Sequence, residues 1–475
     1  LPSVRYENFA NNPILIYNEE KSLRTVARHF ADYKTIQADN GSFFVMDVGR
    51  IDELMQYWCI SLPRVQPFYA LQCNSDPVLL HLLAHYPNFG FFCASGDDVE
   101  KALDLIGIDR IIYGNPLWTR RNVCKAKEYG LQCLICQSEN DLMRVKAFHP
   151  DANVILRVCI GPVENRLRIG CDLIDEAPLL IELCSKINIH LVGIGFSVCV
   201  GNLSLGLYAY AIAQCRRLFD LAAEFGILLN ILDIGDFPST DMSTGLSFNQ
   251  ISEIINSALF QYFPDDHFVN LRIIAEPGRY FASSAFALVT NVIGTYITRA
   301  SLLTNTEIDV DEVVIVYKTN DGIYKSFGCI LAEDCEPHCE PLHDDETQVI
   351  TYVSIIGNTV ENEVLQPITR LKSLKVGDWL LWNNMGAYTM YNRDKNCRNS
   401  LPVVHYFTDS ERWAFLRKFS SISKSMSHGK TNVENLCEKK VDDEFSINSE
   451  VESFVSEDDD SIWARNSFLR EDNEE

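Results

Sequence analysis

Between about residue 43 and residue 280, short apolar runs alternate with stretches of helical periodicity, and this alternation limits the folds open to the chain. The runs fall at 65–71, 91–94, 110–113, 132–136, 154–159, 191–198, 229–234 and 271–275. Between them the apolar residues recur every three or four positions, as in 99–106, 119–129, 139–148, 175–187, 205–225 and 249–262. Eight strands interleaved with helices predict a (β/α)8 TIM-type barrel, an α/β fold. A doubly wound open sheet is the alternative, but no strong glycine-rich dinucleotide loop follows the first strand. After about residue 280 the pattern becomes strand-dominated (287–298, 312–317, 349–356, 379–382, 403–407), with turns at Asn320-Asp321-Gly322 and Val376-Gly377-Asp378. This predicts a C-terminal all-β sandwich or small barrel. The expected division is an N-terminal segment, 1–37, packed on the β-domain or the barrel rim; a barrel, 38–279; a β-domain, 280–417; and an acidic disordered tail, 418–475.

Charge excludes some partners. The net charge of −24 argues against nucleic acid and against anionic membrane, which repel such a surface. Within it, residues 421–475 hold 15 acidic and 6 basic side chains, few periodic apolar residues and much Ser and Asn, the pattern of a solvating tail. No apolar run reaches membrane-span length, and no basic-then-apolar leader opens the chain. Most of the 16 cysteines sit in apolar runs, as Cys133, Cys136, Cys159 and Cys199 do, which suits reduced core thiols and a cytoplasmic location. Cys335-Glu336-Pro337-His338-Cys339 with His343 offers possible metal ligands. They crowd into nine residues of an acidic connection, without the loop that separates zinc-ligand pairs, so no metal is expected.

Several spaced motifs carry more specific information. They are Pro67-Phe68-Tyr69-Ala70-Leu71-Gln72-Cys73-Asn74, Leu232-Asp233-Ile234-Gly235 with Phe237-Pro238, and Ala275-Glu276-Pro277-Gly278-Arg279-Tyr280. Further along come Asn320-Asp321-Gly322-Ile323-Tyr324 with Ser326-Phe327, and Val376-Gly377-Asp378-Trp379 followed by Asn384-Met385-Gly386-Ala387-Tyr388-Thr389. In this order, over roughly residues 5–415, they resemble the eukaryotic ornithine decarboxylases, the group IV decarboxylases dependent on pyridoxal phosphate. The resemblance implies a lysine at position 72 carrying the cofactor as a Schiff base, and the chain has Gln72. An amide nitrogen, its lone pair delocalised into the carbonyl, forms no such imine.

Other positions depart in the same direction. The family's ring-stacking histidine corresponds to Ser197 and its phosphate-binding serine to Val200. The Gly-Gly-Gly-Phe-Pro loop reads Gly235-Asp236-Phe237-Pro238, a residue shorter, and Asp236 brings negative charge to where a phosphate would sit. The reprotonating cysteine, contributed across a dimer interface, corresponds to Val360, and the amine-binding acids to Glu361 and Glu333. Glu276, Gly278, Arg279 and Tyr388 keep the residue types of the cofactor contacts, and a structural role explains them as well. The resemblance therefore implies a pseudoenzyme, with no catalytic residues and no bound cofactor expected.

The family includes a non-enzymatic branch, the antizyme inhibitors, which bind antizyme and free active ornithine decarboxylase. The corresponding surface, about 115–149, carries Arg120, Arg121, Lys125, Lys127, Arg144 and Lys146 against Glu128, Glu139 and Asp141. A local excess of positive charge in an acidic chain suits an acidic partner, while a solvated helix face is the plainer alternative. Trp118 and Cys124 stand where lysines are usual in that branch. Antizyme is thus the expected partner, with a regulatory subunit of an active ornithine decarboxylase, a small-molecule sensor, and an enzyme of altered chemistry as alternatives, and the chain a monomer or weak homodimer.

Overall fold

The computed structural model describes residues 4–160, 169–198, 205–238, 247–304, 312–333, 335–343, 349–390 and 401–417. Its centre is a closed parallel barrel of eight strands: β1 (Val65–Ala70), β2 (Gly90–Cys93), β3 (Ile111–Tyr113), β4 (Cys133–Cys136), β5 (Asn153–Ile160), β6 (His190–Val198), β7 (Ile231–Asp233) and β8 (Arg272–Ala275). The ring closes where β8 pairs with β1, setting Ile273 opposite Val65 and Ala275 opposite Pro67. A short strand, Cys171–Asp172, adds to the side of β5.

Successive strand residues point to opposite sides, and both sides are dry, which is why these runs are continuously apolar. Phe68, Ala70, Phe92, Ile112, Ile135, Ile155 and Ile274 form the interior cluster. Tyr69, Phe91, Tyr113, Leu134, Val154 and Leu232 face the surrounding helices. Side-chain oxygens start many of those helices. Asp76 accepts from Val78 and Leu79, Ser95 and Ser247 form capping boxes, and Thr119 and Ser138 cap the two helices of the basic segment.

The second sheet has ten strands. Arg5–Phe9, Asn12–Tyr17, Val403–Asp409, Phe43–Asp47, Phe286–Arg299, Val313–Thr319, Ile350–Ile356 and Val364–Lys372 follow one another across it. Trp379–Trp382 joins Phe286–Arg299 to Cys339–Pro341. The sheet is mixed rather than purely antiparallel, because Val403–Asp409 runs parallel to both its neighbours. Phe43–Asp47 lies within the range expected for the barrel but pairs here, between Val403–Asp409 and Phe286–Arg299. Its apolar composition suits either sheet, and long-range pairing decides. The helix Leu23–Ile36 covers this sheet through Val26, Ala27 and Ala31.

Among the described residues no helix is long and apolar enough to cross a membrane. Burial pushes the thiols of Cys73, Cys133 and Cys184 up to about 12. The tail expected at 418–475 lies outside the described residues.

Candidate functional site

The C-terminal ends of the barrel strands converge on one group of polar side chains. β1 runs into a turn at 71–74 held from several directions. Leu71 donates to Phe92 O, Tyr69 Oη to Asn74 O at 2.9 Å, and Asn74 Nδ2 to Gly386 O at 2.8 Å. The Tyr388 amide completes the clasp on Cys73 O, 2.8 Å away. Gln72 is therefore presented, half-buried, from a fixed backbone. Gly278 is tied to the same turn by space, since a Cβ there would stand 2.9 Å from Cys73 Cβ.

Beneath the turn lies a buried ionic triad. The Arg157 guanidinium, on β5, donates to Asp233 Oδ2 at 2.9 Å and to Glu276 Oε1. All three side chains are less than a tenth exposed. Gly195 on β6 makes room for this, because a Cβ there would come 2.8 Å from Asp233 Cβ. Asp233 also accepts the Gly235 amide at 3.0 Å. One guanidinium serves two carboxyls, and burial raises Glu276 well above the usual carboxylate range, Asp233 pressing the same way and Arg157 opposing. Arg157 escaped the sequence analysis. Its signal was there: one charged residue inside a strand otherwise apolar from Val154 to Ile160.

At the rim, Asp236 Oδ2 lies 3.6 Å from Arg279 Nη1, and the guanidinium stands 5.0 Å over the Tyr388 ring. Gly235 takes φ +74°, and a Cβ there would meet Phe196 O at 2.3 Å, so only glycine fits this bend. Ser197 sits half-buried near the end of β6, whereas Val200 is outside the described residues, as are the Glu333 side chain and Cys199. Val360 is 92% exposed and Glu361 is exposed as well, so neither packs into this chain's own barrel.

The basic residues occupy two neighbouring helices, Arg120–Glu128 and Glu139–Phe148. Arg120, Arg121, Lys127 and Arg144 are exposed. Arg120 stacks over Phe148, and Lys125 lies over Tyr129. Lys146 donates to Asn188 O at 2.8 Å and so also serves the fold. Trp118 is core, donating its indole N–H to Ile135 O at 2.7 Å. Of the possible metal ligands, Cys339 is a buried strand residue, and His343 Nε2 lies 2.8 Å from Asp32. No group of three or more His, Cys, Asp or Glu side chains is placed to hold a metal among the described residues.

A parallel eight-stranded barrel joined to a mixed sheet, with an acid closing the last strand and an arginine after the following Pro-Gly, defines the class. Residues 48–283 match the family described as pyridoxal-dependent decarboxylase, pyridoxal binding domain. Over 420 residues the chain is 32% identical to an ornithine decarboxylase of Caenorhabditis elegans, covering 87% of this chain and 98% of the relative. It is 34% identical over 387 residues to an antizyme inhibitor 2 of Xenopus laevis, covering 79% and 83%. The arginine decarboxylase of Paramecium bursaria Chlorella virus, solved with agmatine bound, superposes with a TM-score of 0.71 at 27% identity, over 81% of this chain and all of that one. The chain belongs to the ornithine decarboxylase family.

This corrects one expectation. No bound cofactor was expected, and the match over 48–283 makes the barrel a pyridoxal-binding domain. An amide such as that of Gln72 forms no imine, but this concerns covalent attachment and not binding. The residues present fit the group without that bond: the buried carboxyl of Glu276, the guanidinium of Arg279, and the glycine bend at 235 that a Cβ would fill.

Proposed function

We propose that this chain is a non-catalytic member of the ornithine decarboxylase family that binds antizyme in the cytoplasm and so spares active decarboxylase. One observation carries the loss of catalysis. Between residues 48 and 283 the chain has five lysines, Lys101, Lys125, Lys127, Lys146 and Lys186. Every one lies on an outer helix, and the turn after β1 presents Gln72 instead. A pyridoxal decarboxylase needs an amine at the strand ends to bind its cofactor covalently and to exchange it for the substrate amine. Ser197 and Val360 match the family's ring-stacking and proton-donating positions without the chemistry for either task.

Bound pyridoxal phosphate supplies an electron sink for amino-acid chemistry. Here Glu276 would hold its ring nitrogen and Arg279 with Tyr388 its phosphate, with no covalent link. Borohydride reduction should therefore leave the intact mass of the chain unchanged.

The partner assignment rests on the likeness to antizyme inhibitor 2 and on four exposed basic side chains beside one another on the barrel wall. The test is a rescue assay. Added to active ornithine decarboxylase held inactive by antizyme, this chain should restore activity, and added to free decarboxylase it should change nothing. Inhibition of the free enzyme would instead favour the regulatory-subunit reading, in which a mixed dimer carries Gln72 in one shared site and Val360 in the other.

A further inference from the structure

The position of Asp236 has a consequence for what the barrel mouth accepts. Among the described residues, two guanidiniums, Arg157 and Arg279, face three carboxyls there: Asp233, Asp236 and Glu276. Arg279 is a cation at the rim, and Asp236 already stands against it. The loop cannot simply swing away. Tyr208 Oη donates to the Asp236 carbonyl at 2.8 Å, Gly235 is locked in its positive-φ bend, and the Glu276 amide donates to Gly235 O at 2.7 Å.

We propose that Asp236 is a built-in anion that engages Arg279 in place of a ligand phosphate, so the site discriminates weakly between phosphorylated and unphosphorylated pyridoxal. A phosphate approaching Arg279 must compete with a carboxylate held in place. It gains the Arg279 contact only by giving up the Asp236 contact, and it then sits beside a like charge. The aldehyde and ring of the ligand meet no such opposition. Residue 236 thus sets the affinity for the phosphate alone. The proposal rests on the barrel being a pyridoxal-binding domain and is independent of whether the chain turns over substrate.

Equilibrium dialysis of the full chain against pyridoxal 5′-phosphate and, separately, against pyridoxal tests this. Asp236→Asn keeps the shape of the side chain and removes the charge that faces Arg279. It should tighten pyridoxal phosphate binding by at least about tenfold and change pyridoxal binding by less than about twofold. Adding Arg279→Ala to that variant should abolish the gain. Asp236→Gly is the second variant, usable if the amide misfolds, and should show the same selective gain. Unchanged affinity for the phosphate ester, or an equal gain for both ligands, would overturn the proposal.

Discussion

Replacing Arg157 with methionine probes the buried triad that organises the barrel mouth. The side chain is 8% exposed, and its partners Asp233 and Glu276 are 0% and 6% exposed. Removing one partner of a buried ion pair costs about 3–5 kcal/mol, because the charge left behind has lost both water and counterion. Here the expected figure is near the lower end. Burial already biases Glu276 toward its neutral form, and Asp233 keeps the Gly235 amide as a hydrogen-bond donor. Methionine also retains much of the contact with Phe92, whose ring lies 5.4 Å beneath the guanidinium. We expect Arg157→Met to lose about 3 kcal/mol at pH 7.5, a large part of the roughly 5–15 kcal/mol that holds a folded domain. Urea unfolding followed by tryptophan fluorescence measures it. The deficit should narrow as pH falls, because protonation removes the negative charge that Arg157 offsets. Adding Asp233→Asn should recover more than about 1 kcal/mol, since the two sites are coupled. A deficit below about 1 kcal/mol, or one that does not change with pH, would show that the triad does not work as described.

Gln72→Lys alone should leave the chain without ornithine decarboxylation, because Ser197, Asp236 and Val360 remain; measurable turnover by that single variant would mean these departures matter little. Reversing Arg120, Arg121 and Lys127 to glutamate together should weaken antizyme binding by about tenfold or more at low salt and by less at high salt, as surface plasmon resonance would report. His405, stacked 3.7 Å from Phe30 and enclosed beside Lys34, has its pKa lowered to about 4. Its depressed folded value makes stability highest above the unfolded value near 6.5 and lost as pH falls towards 4, by up to about 3 kcal/mol, and His405→Phe should flatten that slope in urea titrations. Trp118→Ala should cost about 3–5 kcal/mol, because it empties a buried site and strands Ile135 O, and calorimetry should show a lowered Tm.

The barrel was legible because each of its strands is buried on both faces and so reads as an apolar run. Strand by strand, 65–71 and 191–198 differ from the observed β1 and β6 by a residue at one end. Two features of the second sheet were not legible. Phe43–Asp47 has the composition of a barrel strand, and only its pairing with residues some 240 and 360 positions further on assigns it elsewhere. Val364–Lys372 has an irregular burial pattern, broken by Pro367 and by register shifts against Ile350–Ile356, so no period-two alternation marks it. At the site, motif spacing located Gln72, Glu276, Arg279 and Tyr388. It could not show that Asp236 is paired with Arg279, nor that Arg157 joins Glu276 to Asp233 across three strands. Those contacts depend on barrel closure, which brings together side chains 76 and 119 positions apart.

This barrel keeps the form of a pyridoxal-binding decarboxylase domain, and Gln72 follows its first strand where the proposed loss of catalysis is to be tested. Carbon dioxide release from carboxyl-labelled ornithine, by the purified chain with pyridoxal phosphate in excess, tests it most directly. The account predicts release no faster than with cofactor alone. Sustained release proportional to protein concentration, lost on inhibition by a substrate analogue, would contradict it.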